Sequence, residues 1–187
     1  KSGYRIPMLQ YLLYIQGGVC AYCMSRINID NATIEHFKSQ NPRNITGVPL
    51  NNNLKVDPNN FLAVCSGGTN QNFDKVINHC DKSKKMEFAR LPSLIYRNVE
   101  DFINYTNIGE IHSTDSTLEI ELTQKSFLNL NKAYYLKENR RTVQTNANNS
   151  ISKILSKKIT NKNKITQLNI LKNKIMSSDS PFRGVIL

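Results

Sequence analysis

The four cysteines are the residues whose type and spacing most directly suggest chemistry. Cys20 and Cys23 form C-A-Y-C, while Cys65 and Cys80 come singly, with His79 directly before the last. In a secreted chain four cysteines would read as two disulfides. Residues 8–15 (MLQYLLYI) are apolar but interrupted by Gln10, and no A-x-A-like site follows, so no signal peptide is expected. Without export the four read as thiolates on one Zn²⁺, because a C-x2-C knuckle plus two further cysteines supplies the soft ligands of a closed tetrahedral structural site. C-x2-C alone is a weak signal, and buried free cysteines are the plainer alternative. That no cysteine is left over favours zinc.

The elements that must position these residues follow from periodicity. Pro7 suits the first turn of a helix whose apolar residues are Met8, Leu9, Leu12, Leu13 and Ile15, ended by Gly17-Gly18. Turn chemistry around 28–31 precedes a strand from Ala32 to Phe37, with Glu35 and His36 at its end. Residues 38–58 form a long polar loop in which Asp57 is a turn residue before Pro58. Residues 60–64 (NFLAV) are a short apolar element leading to Cys65, residues 66–78 a second polar loop, and a helix is expected over residues 81–90, with Asp81 preferred as its cap over a place near the metal. FINYTNIGEI from Phe102 and LEIEL from Leu118 read as a small β-hairpin. Helical spacing returns over residues 128–144, Asn146 to Asn149 break the run, and Ile151, Ile154, Leu155 and Ile159, then Ile165, Leu168, Leu171 and Ile175, mark two amphipathic helices.

The chain has 187 residues, enough for one domain or a small domain with a subdomain, and its 39% hydrophobic content is enough for a modest core. No apolar run approaches transmembrane length, so no membrane contact and a cytoplasmic location are expected. Charge is unevenly spread. Residues 1–123 hold 12 basic and 12 acidic side chains, and residues 124–187 hold 13 basic against only Glu138 and Asp179. The whole excess of +11 therefore lies in the last third, which suits a polyanion or an acidic partner surface. A solvated helical face is the plainer alternative.

Three further pieces fall in order: Glu35-His36, Asn60 five residues before Cys65 (NFLAVC), and His79-Cys80 opening HCDKSK. In this order, with all four cysteines in register, the sequence resembles the HNH endonucleases, whose site is a ββα-metal fold. The wording CAYC, IEHF, NNFLAVC and HCDKSK is most similar to the HNH subunit of the Septu anti-phage defence system and its retron-associated relatives. GEI from Gly109, LNLN from Leu128 and Arg140-Arg141 extend the likeness, which covers about residues 15–141. The stretch between Cys65 and His79 is longer than in compact HNH proteins, and the order is His-Cys rather than Cys-His.

The resemblance implies an α+β protein. A zinc-stapled ββα-metal core would occupy residues 1–95, and a β-hairpin with a basic helical C-terminal region residues 96–187. It implies a hydrolase cutting DNA, with structural Zn²⁺ on Cys20, Cys23, Cys65 and Cys80 and a catalytic Mg²⁺ or Mn²⁺ near Glu35, His79 and Asn60. Imidazole titrates near neutrality, so His36 suits the general base that deprotonates the attacking water. A hard divalent ion would stabilise charge on the phosphate and the leaving oxygen. Successive strand residues face opposite ways, so Glu35 and His36 need a bend to reach one site. Asn60 would either join the metal shell or pin the loop carrying His36, with Asn59 as its register rival. His79 could instead be a zinc ligand.

The resemblance further implies an SMC/ABC-like ATPase partner and, in a retron-linked version, a reverse transcriptase with multicopy single-stranded DNA. DNA is favoured over RNA as substrate. The alternatives are a non-catalytic zinc-ribbon nucleic-acid-binding or adaptor protein and a nuclease acting on RNA such as tRNA.

Overall fold

The computed structural model describes residues 3–38, 53–69, 77–84, 101–177 and 181–185. Helix α1 (Arg5–Ile15) has Pro7 in its first turn and buries Leu9 and Leu12. It ends where Gly17 and Gly18 take left-handed φ, with the Gly18 amide donating to Leu13 O at 2.8 Å. Strands β1 (Ala32–His36) and β2 (Phe61–Cys65) pair antiparallel, setting Ala32 opposite Cys65 and His36 opposite Phe61. The side-chain amide of Gln16 brackets the backbone of Ala63, donating to its carbonyl and accepting from its N–H, both at 2.8 Å. A side chain at the end of α1 thus fills a slot on β2 that a strand would otherwise occupy.

Two short pairs follow, β3 (Gly68–Thr69) with β4 (Ile77–Asn78) and β5 (Ile103–Tyr105) with β6 (Ile111–Ser113). Helices α2 (Ser116–Thr123), α3 (Tyr134–Leu155) and α4 (Asn161–Ser177) complete an α+β fold. A single cluster of buried apolar residues joins Leu9, Ile27, Phe37 and Val64 to Ile111, Leu122, Leu130 and Leu136. The boundary expected near residue 95 lies outside the described residues, and the core contains side chains from both sides of it.

The structure corrects the sequence reading at three places. LEIEL is helical, not a strand. Asp115 caps α2 by accepting from the amides of Thr117 and Leu118, and Glu119 reaches back to the Ser113 amide at 2.6 Å. Burial then follows i, i+3, i+4 (Leu118, Glu121, Leu122) while Ile120 is exposed, the reverse of what the apparent alternation requires. Asn146 to Asn149 do not break a helix either. Asn costs only a fraction of a kcal/mol per helical position, and α3 continues through them with Ala147 buried. Finally, the segment after His79 begins as a single 3-10 turn, Cys80–Lys82, and most of the helix expected over 81–90 lies outside the described residues.

Two charged groups are buried in the second half. Arg140 donates to the carbonyls of Gly109 and Leu130 and to Asn131 Oδ1, fastening the β5–β6 turn and the segment before α3 to that helix. Glu121 is buried with Oε2 unpaired, and burial, with the Asp115 carboxylate second, pushes its carboxyl up to about 7.

This shift fixes a sign. The folded state holds a proton on Glu121 that an unfolded carboxyl, titrating near 4.5, has already released. The contribution is therefore fully present below pH 4.5 and lost as pH rises through about 7. Urea unfolding of wild type and Glu121→Gln should agree closely near pH 5. At pH 8 the variant should be more stable by about 1–3 kcal/mol. A difference independent of pH would show that Glu121 does not titrate with folding.

Candidate metal centre and the end of strand β1

The four cysteine sulfurs come from three places. Cys20 and Cys23 sit on a knuckle closed by an antiparallel bridge between Val19 and Arg26, with the Met24 amide donating to Cys20 O at 2.9 Å. The knuckle docks on β2 through the Ala21 amide, which donates to Ala63 O at 3.1 Å. Cys65 ends β2, and Cys80 opens the turn after β4. All four sulfurs lie within 4.8 Å of one another, and Cys23 and Cys65 are 3.8 Å apart. A tetrahedron with Zn–S bonds of about 2.3 Å has edges of about 3.8 Å, so the spacing fits a tetrahedral thiolate site for a metal such as zinc. Hydrogen bonding, from Cys20 first, drives the Cys65 thiol far down, while burial raises Cys80.

Cys80 has φ of +53°, which is costly for a residue with a Cβ. It is held there by its amide, which donates to Leu128 O at 2.9 Å, and by the cluster it joins. Gly67 lets the neighbouring strand approach closely. A Cβ on it would lie 2.3 Å from His79 O, and its own carbonyl accepts from the His79 amide at 2.7 Å.

His79 does not face Glu35 or the solvent. Its ring is buried, with Nδ1 at 3.1 Å from Cys80 Sγ and Nε2 at 2.7 Å from the Tyr135 hydroxyl. With the sulfur as a thiolate, Nδ1–H donates to it and the bare Nε2 accepts from Tyr135. Burial first, then the cysteine charges, raises the Tyr135 phenol and keeps it a donor. The His79 ring thus lies between the Cys80 sulfur and the Tyr135 hydroxyl, placed to orient the thiolate.

The end of β1 forms a second centre. Glu35 and Lys84 form an ion pair that is mostly buried. The Lys84 ammonium also donates to His36 O at 2.8 Å, Phe37 O at 3.1 Å and the Tyr22 hydroxyl at 3.3 Å. Asp81 comes from the same turn, and its carboxylate acts on Glu35. Burial first, then Asp81, pushes Glu35 up to about 7, against the lowering effect of Lys84. Most of the helix that Asp81 was expected to cap lies outside the described residues.

His36 lies on the other side of the strand from Glu35. Its ring packs edge-on against Phe61 at 4.9 Å, and Nε2 is 3.2 Å from Lys55 O. A carbonyl can only accept, so Nε2 carries the proton and neutral His36 offers Nδ1 as its basic atom. Asn60 is buried in the expected register, Asn59 exposed. Its Oδ1 accepts from the Lys38 amide at 2.6 Å, and Nδ2 donates to Lys38 O and Leu54 O, both at 2.9 Å. These bonds hold the chain just beyond His36.

Among the described residues the cysteines are the only group of three or more His, Cys, Asp or Glu side chains close enough to share one ion. Glu35, His36 and His79 are not gathered around a common point. Among the same residues no helix is long and apolar enough to cross a membrane. No family model, curated protein or solved structure matches the chain.

Two variants test the cluster separately. Cys20→Ser should cost folding itself, since a structural metal contributes folding free energy, and the purified variant should lack stoichiometric zinc. His79→Ala should keep the four ligands but lower zinc affinity about 10–100-fold, read as faster transfer to a chromogenic chelator. Normal folding of Cys20→Ser without zinc would refute the structural site, and unchanged transfer from His79→Ala would refute the orienting role.

Proposed function

We propose that the chain is a metal-dependent endonuclease of the HNH type that hydrolyses DNA phosphodiester bonds as the effector of an anti-phage defence complex with an ATPase partner. The observation carrying this reading is the pairing at the end of β1. The Asp81 carboxylate acts on Glu35, His36 follows with Nε2 held by Lys55 O and Nδ1 left as its basic atom, and the paired strand β2 ends on the cysteine cluster. The antiparallel β1–β2 pair followed by the turn at Cys80 is the order a ββα-metal core requires.

In this reading the chemistry divides among the chain's own residues. Nδ1 of His36 takes the proton of the attacking water while Lys55 O fixes the ring from the other side. Glu35 and Asp81 are hard oxygen donors suited to Mg²⁺ or Mn²⁺, which when bound stabilises charge on the phosphate and the departing oxygen. Asp81 takes the place that the sequence reading gave His79. Asn60 keeps the chain after His36 in position rather than binding the ion. A second reading, a non-catalytic zinc module for binding nucleic acid, is favoured by one observation: Lys84 already neutralises Glu35.

Nicking of supercoiled plasmid in Mg²⁺ or Mn²⁺ separates the two. His36→Ala should slow cleavage by about 10²–10⁴ with zinc content unchanged. Asp81→Asn should abolish cleavage and also keep its zinc, whereas His79→Ala should lose zinc first. Wild-type rates from His36→Ala would sink the assignment, and a wild-type chain inert toward both DNA and tRNA would favour the binding module.

A further inference from the structure

The hairpin of α3 and α4 carries charge that the fold does not use. Residues 153–174 contain seven lysines and no acidic side chain. The buried residues of α3 stop at Ala147, α4 packs on α3, and none of residues 161–175 is buried. Lys164, Gln167, Leu168, Leu171 and Ile175 are half-buried at helical spacing and mark the side turned toward α3. Lysines and asparagines dominate the opposite side, among them Lys162, Asn169, Lys172 and Asn173.

Helix stabilisation accounts for part of this charge only. Lys153 lies in the last turn of α3, where a cation complements the helix dipole. Lys164 donates to Leu155 O at 2.6 Å and Lys157 to Gln167 Oε1 at 2.7 Å, so both close the turn between the helices. Lys162 has no such function. It stands in the first turn of α4, where the dipole disfavours a cation and no acidic residue offsets it.

The surface also discriminates between partners. Of the exposed apolar residues, Leu155 ends α3, and Ile165 and Ile170 lie about 140° apart around α4, too far apart to form one apolar stripe along it. The exposed aromatic Tyr134 stands at the far end of α3, and residues 153–174 carry no aromatic side chain on which unpaired bases could stack. What remains is positive charge spaced along a helix with amide side chains between, which suits the phosphates of a duplex.

We propose that the α3–α4 hairpin binds the backbone phosphates of double-stranded DNA through Lys153, Lys158, Lys162 and Lys172. This deepens the nuclease reading by giving it a substrate-holding arm away from the end of β1, and it rests on that reading for the identity of the polyanion. The test is the salt dependence of binding to a 30-base-pair duplex, measured by fluorescence anisotropy without added divalent ions so that cleavage plays no part. Replacing the four lysines with Gln should flatten the log–log salt slope by about 3–4. Replacing them with Arg should preserve it, and both variants should retain zinc. An unchanged slope in the Gln variant overturns the proposal, as does poly-glutamate or single-stranded DNA competing better than duplex. If the Gln variant keeps its slope while wild type cleaves plasmid, the arm is refuted and the nuclease reading stands. If the slope flattens in a chain that cleaves nothing, the arm stands and the nuclease reading falls.

Discussion

The convergence of four sulfurs is the constraint on which the functional half of the molecule depends. Each sheet in this structure is a pair of short strands, and a two-stranded pair is marginal on its own. Cys20 and Cys23 bring the knuckle, Cys65 the end of β2, and Cys80 the turn after β4. A metal bridging them would join segments more than fifty residues apart in sequence at one point. It would do so beside the carboxylates, because Asp81 directly follows Cys80 and Glu35 lies on the strand paired with the one that Cys65 ends. The positive φ of Cys80 is tolerable in this setting, since a ligand fixed by three others cannot relax to a commoner conformation.

Around this point the fold uses buried polar groups as fasteners, and each carries a desolvation cost that its partners must offset. His79 and Tyr135 form a chain of donors ending on Cys80, so α3 takes part in holding the cluster. Arg140, one turn and a half further along α3, is satisfied by two carbonyls and an amide, so removing it would leave several buried acceptors unpaired. The same helix therefore supports the metal centre through its first residue pair and the β5–β6 turn through its second turn. Glu121 is the contrasting case, a buried carboxyl with one oxygen unpaired, and it responds by keeping its proton.

Much of this was legible in the residues, and the failures share a cause. The knuckle, the strand ending in Glu35 and His36, the apolar element before Cys65 and the register of Asn60 all rest on local pattern, and local pattern sufficed. Direction did not follow from it. His79 was expected to face a catalytic ion because adjacent helical residues diverge by about 100°. The segment instead enters extended at His79 and turns only at Cys80, so the imidazole falls beside the neighbouring sulfur. LEIEL alternates as a strand would, yet the cap from Asp115 outweighs that short pattern. The asparagine-rich stretch read as a break, whereas stopping a helix takes Pro, Gly or a competing cap. The bond between Gln16 and Ala63 spans 47 residues and leaves no sequence trace.

The turn from Cys80 to Lys84 shows how little chain the centre needs. The amide of Lys84 donates to Cys80 O, so the segment makes one helical turn, and residues three apart share a face. Asp81 and Lys84 are such a pair, and both reach Glu35. One of them brings negative charge and the other positive, so the net charge at the end of β1 is set within a single turn. Lys84 also binds the carbonyls of His36 and Phe37, which fixes the backbone at the end of β1. Asn60 holds the chain one residue further on, and Lys84 anchors the carbonyls before it. Between these two anchors the backbone after His36 is held from both sides. The end of β1 is therefore positioned by the turn behind Cys80 as much as by its pairing with β2.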